Sequence, residues 1–141
     1  MPWTGPFQLR GYLDQRGGAT PLPPEDPGVY VVTEKLWSGD PSSAAVLYVG
    51  ASGVRTPQSK AGLRGRIGNL LSSLCGFHGE FAGLHSGGIC ISKGHCLARP
   101  GHSPLELFIA WRAMHRAPPQ QVAEAERHWI RQLSPRFNRR R

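Results

Sequence analysis

A chain of 141 residues, 39% hydrophobic with four Trp, is long enough for one modest core and reads as a single domain. Its net charge of +8 favours polyanionic partners, nucleic acid first and an anionic membrane second. No apolar run approaches the roughly 18 residues of a spanning helix, and the N-terminus has neither the charged start nor the apolar stretch of a secretory signal. Cys75, Cys90 and Cys96 lack C-x-x-C spacing, which argues against a disulfide framework or zinc site and for reduced thiols in a cytoplasmic protein.

Residues 1–27 are rich in Gly and Pro and read as an arm or loop, with a short structured piece at residues 7–13. Gly28-Val29-Tyr30-Val31-Val32-Thr33 is β-branched and aromatic behind a Pro-Gly boundary, which predicts a strand. After a turn at residues 38–43, Val46-Leu47-Tyr48-Val49-Gly50 predicts a second strand and a hairpin with a generous loop. Strand alternation allows Tyr30 and Tyr48 to share one face.

Residues 53–62 are loop-like and carry Arg55 and Lys60. Leu63, Ile67, Leu70, Leu71 and Leu74 form a helical stripe with Arg64 and Arg66 on its opposite edges. Residues 85–92 fit a short helix capped by Ser86, or a strand, with the helix preferred. Leu105, Leu107, Ile109 and Trp111 alternate, predicting a third strand over residues 105–112. Pro118-Pro119 then precedes a helix over residues 122–133, and the chain closes on Pro135-Arg136-Phe137-Asn138 and Arg139-Arg140-Arg141.

In that last helix Val122, Trp129, Ile130 and Leu133 make one stripe, with Glu126 in its middle and Glu124 facing away. A carboxylate on the core-facing side is costly unless paired, protonated or bound to a metal. Its structural alternative is an ion pair with Arg66 or Arg64.

Gly28-Val29-Tyr30 followed by Tyr48-Val49-Gly50 resembles the paired signature of the GIY-YIG nucleases. Leu63-Arg64-Gly65-Arg66-Ile67 is similar to that family's first helix, and the run from Glu126 to Asn138 to its third motif. The resemblance covers about residues 28–138. It implies an α/β domain with a small three-stranded, mainly antiparallel sheet flanked by helices. It also implies an endonuclease that hydrolyses DNA with one Mg²⁺ or Mn²⁺ and leaves a 3′-hydroxyl and a 5′-phosphate.

By the same resemblance Glu126 is the metal ligand, Arg66 the phosphate-neutralising cation, Tyr30 the group that helps activate the attacking water, and Tyr48 the group that positions water or phosphate. Periodicity alone does not choose between Arg64 and Arg66. A hard ion that keeps most of its waters needs only one or two carboxylates, so a single Glu suffices. Gly50 and Asn138 are expected to support the site, and Asn138 to fix backbone or a tyrosine rather than do chemistry.

The chain departs from the pattern in two longer loops and in a missing cation. Ala51 and Ser52, and Leu70, stand where family members carry a Lys or a His. His85, His78 or Lys60 is the candidate replacement, with His85 preferred. Arg55, Lys60, Arg64, Arg139, Arg140 and Arg141 are the expected nucleic-acid contacts. RNA stands beside DNA as a substrate, and the expected state is a monomer, a weak homodimer or a subunit of a larger assembly. The rival expectation is a noncatalytic nucleic-acid-binding module that kept the fold.

Overall fold

The computed structural model describes residues 2–12, 20–54, 62–75, 85–96 and 103–138. Its centre is an open antiparallel sheet of four strands: β1 (Thr4–Gln8), β2 (Gly28–Thr33), β3 (Val46–Ser52) and β4 (Phe108–Ala113), in the order β1-β4-β2-β3. Helices α1 (Gly62–Cys75) and α2 (Ser86–Ile91) pack on one face and α3 (Pro119–Leu133) on the other. The α/β class and the antiparallel hairpin follow the sequence expectation. The strand count does not.

The extra strand is β1, inside the stretch read as an arm or loop. It pairs with β4 through Thr4 and Trp111, Phe7 and Ile109, and Gln8 and Phe108. A segment broken by Gly5 and Pro6 shows little strand propensity, and the pairing partner, about a hundred residues away, supplies what local sequence lacks. Residues 23–27 are equally structural. The carbonyls of Asp26 and Pro24 accept from Leu63 and Arg64, two otherwise orphaned amides at the start of α1, and Pro27 accepts from Met114. The third predicted strand also starts late, because Pro104–Glu106 forms a 3₁₀ turn capped by Ser103.

Strand β2 is buried at every position, as an interior strand covered on both faces must be. Alternation along it divides the core in two. Tyr30 and Val32 join Leu63, Ile67, Leu70, Ile91, Ile109 and Trp111 beneath α1 and α2. Val31, Val49 and Ala110 join Trp37 and Val46 on the other side, where Trp129, Ile130 and Leu133 of α3 pack.

Strand β3 lies at the end of the strand order, where an open edge invites mispairing. The segment after α3 covers it. Ser134 adopts a left-handed conformation (φ 46°, ψ 58°) and turns the chain back. Arg136 and Phe137 then donate to the carbonyls of Val46 and Leu47 at 3.2 and 2.8 Å.

Candidate active site

The register of β2 and β3 places Tyr30 opposite Gly50 and Val32 opposite Tyr48, so the two tyrosines share a face, with ring centroids 6.3 Å apart. Glycine at position 50 has a direct steric reason: a Cβ there would collide with the Tyr30 ring and hydroxyl. The Tyr30 side chain reaches over Gly50 of the facing strand and is fully buried.

Helix α2 begins at His85, and the imidazole itself is the cap. Its Nδ1 accepts from the Gly88 amide at 3.0 Å, a role the sequence reading gave to Ser86. The His85 amide donates to Ser73 Oγ on α1 at 2.9 Å. Its Nε2 lies 2.6 Å from the Tyr30 hydroxyl. Gly87 lets α2 approach this closely, since a Cβ there would overlap the Tyr48 ring. His85 is therefore a built part of the site rather than an ordinary polar loop residue.

Arg66, from α1, acts electrostatically on the same Tyr30 hydroxyl, as do Tyr48 and Glu126. Arg64, which periodicity ranked equal to Arg66, directs its Nε to the Pro23 carbonyl at 2.9 Å. Of the two arginines, α1 turns Arg66 into the site and uses Arg64 to hold residues 23–26. Arg55, Lys60, His78 and Arg139, Arg140 and Arg141 lie outside the described residues.

Burial is the main influence on the titratable groups. It pushes the Tyr30 phenol well above 10; the neighbouring Tyr48 and Glu126 add to this, and Arg66 opposes it. Burial, then the Arg66 guanidinium, push His85 down to about 3. At neutral pH the resting site therefore holds a phenol and a neutral imidazole side by side.

Beside this buried group opens a cleft of about 90 Å³, lined by Tyr48, Gly87, Cys90, Glu126, Arg127 and Phe137 among others. Glu126 is half-buried and Glu124 exposed, as the helical periodicity predicts. The cleft has room for several waters. Asn138, also at its wall, bonds the backbone with both ends of its amide: Oδ1 accepts from the Val49 amide at 2.8 Å and Nδ2 donates to the Val49 carbonyl at 2.7 Å. It holds the Val49 backbone.

The donor set decides what cation would suit this cleft. No group of three or more His, Cys, Asp or Glu converges among the described residues, which does not suit a zinc-type site. One carboxylate in a water-sized cleft matches a hard divalent ion that retains most of its own water. The Cys90 thiol is a soft donor and does not serve such an ion. Arg127, Phe137 and Cys90 line the cleft but were not among the site residues expected from the sequence, although Phe137 belongs to the third motif. Arg127 neighbours Glu126, but no periodic signal marks it as facing the same space. No family model, curated protein or solved structure matches the chain.

Proposed function

We propose that the chain is a divalent-metal-dependent endonuclease of the GIY-YIG type that hydrolyses DNA phosphodiester bonds. The observation that carries this reading is convergence. Tyr30 from β2, Tyr48 from β3, Arg66 from α1, His85 at the head of α2 and Glu126 from α3 meet around one group and its adjoining cleft. Each element supplies one polar side chain of the kind phosphodiester hydrolysis needs.

Arg66 presents a permanent charge to the phosphate and, through Tyr30, to the attacking side. Tyr48, half-buried at the cleft wall, orients water or phosphate. Glu126 would hold one Mg²⁺ or Mn²⁺, which would supply Lewis-acid stabilisation of the leaving oxygen. The buried Tyr30 hydroxyl anchors the assembly from below, and its use as a base requires that it first lose its own proton.

A second reading has a specific observation behind it. Tyr30 is 0% exposed, so no substrate atom touches it in this conformation, as a noncatalytic nucleic-acid-binding module would allow. One assay separates the two: nicking of supercoiled plasmid with and without Mg²⁺ or Mn²⁺, on wild type and Glu126→Gln. Metal-dependent nicking that drops by about two orders of magnitude or more in the variant, with DNA affinity nearly unchanged, is expected for the nuclease. Wild-type-like turnover in Glu126→Gln removes the ligand assignment, and binding without nicking by wild type favours the module.

A further inference from the structure

We propose that His85 serves this site as a fixed Nε2–H donor that holds the Tyr30 hydroxyl, a positioning residue rather than a proton acceptor. What Tyr30 does in a reaction rests on the nuclease reading above; what His85 does rests on the hydrogen-bond geometry.

A neutral imidazole carries one N–H and one lone pair, and the partner of either nitrogen settles which is which. The Gly88 amide can only donate, and it meets Nδ1 at 3.0 Å. Nδ1 therefore holds the lone pair and the proton sits on Nε2, the atom 2.6 Å from the Tyr30 hydroxyl. The opposite tautomer would set two donors against each other at Nδ1 and leave a buried amide unsatisfied. A half-turn of the ring would put carbons at both positions. The ring is also held by its setting: its backbone amide is tied to Ser73, and Tyr48 stands edge-on to it at 5.3 Å between centroids. Burial and Arg66 keep the ring uncharged at neutral pH.

The Tyr30 oxygen accepts the Nε2–H of His85, so its own O–H is left for another partner. The other groups that act on it electrostatically are Tyr48, Arg66 and Glu126. A proton that Tyr30 gives up leaves along that O–H, and His85 is closed to it at both nitrogens. The four residues His85-Ser86-Gly87-Gly88 thus form a unit: Gly88 orients the ring and Gly87 lets it reach the tyrosines.

The test has two arms. Long-range ¹H–¹⁵N correlation of the uniformly ¹⁵N-labelled protein, with His85→Gln to assign the signals, reads the tautomer directly between about pH 5.5 and 8. A pyridine-type Nδ1 and a pyrrole-type Nε2 throughout are expected; a protonated Nδ1 or an imidazolium in that range overturns the proposal. In the second arm, plasmid nicking compares His85→Gln, which keeps an N–H donor and loses any base, with His85→Leu, which has neither. Gln is expected to keep kcat within about tenfold of wild type and Leu to fall at least about tenfold below Gln, with KM for DNA unchanged in both. A folded Gln variant as inactive as Leu overturns the donor role. If wild type does not nick at all, the nuclease reading fails, and the tautomer spectrum still decides the role of His85. The wild-type spectrum likewise decides it if a variant fails to fold.

Discussion

Lowering the pH of this protein should destabilise it through one imidazole. In the unfolded chain His85 takes up its proton near 6.5, whereas in the folded protein burial and Arg66 delay that uptake to about 3. Between these values the unfolded state binds the extra proton, so stability falls as pH falls. Above 6.5 the contribution is fully present, and it drains away through the window down to 3. At about 1.4 kcal/mol per pH unit, acidification from neutrality to about pH 4 removes on the order of 3 kcal/mol. That is a large share of the ~5–15 kcal/mol that holds a small domain together.

The assay is urea unfolding at a series of fixed pH values from about 7 to 4, on wild type and His85→Gln. The glutamine can still donate to Tyr30 but does not titrate. His95 is also buried, beside Glu34, but it is common to both proteins and its contribution cancels in the difference. Wild type should lose about 3 kcal/mol more than the variant across the range. Parallel curves would show that His85 is not held neutral by folding, and the argument would fail at its first step.

Gly87→Ala should cost about 1–3 kcal/mol by overpacking and reduce any nicking, because the new Cβ displaces the Tyr48 ring; urea unfolding and the plasmid assay measure the two effects. Asn138→Ala removes both hydrogen bonds to Val49 and should cost about 2 kcal/mol, with faster hydrogen exchange at the Val49 amide. Arg112→Met should change stability by less than about 1 kcal/mol in urea, since a buried, unpartnered Nε offsets stacking on Trp3 and Trp129 at 5.2 and 5.0 Å.

The parts of the fold that rest on local periodicity were legible. Strands β2 and β3 announce themselves by β-branched and aromatic runs, α1 by its leucine stripe, and α3 by Val122 to Leu133. β1 was not legible, because Thr4-Gly5-Pro6-Phe7-Gln8 is a strand only by virtue of its partner β4. The residues after Ser134 looked like a tail motif and prove to be a cover for the edge of β3.

The candidate site divides the same way. The family resemblance nominated Tyr30, Tyr48, Arg66 and Glu126, each in a segment whose secondary structure its own neighbours indicate, and His85 as the replacement for a missing cation in a segment that fitted helix or strand. Two matters were decided only in three dimensions. Arg64 and Arg66 are equivalent on a helical wheel, and the carbonyl of Pro23 on one side and the hydroxyl of Tyr30 on the other separate them. The role of His85 depends on which nitrogen carries its proton, and that follows from where the Gly88 amide and the Tyr30 hydroxyl fall around the ring. Periodicity sets which way a side chain leaves its own element. What that side chain meets is set by the other elements, and so charge state, tautomer and partner belong to the tertiary structure.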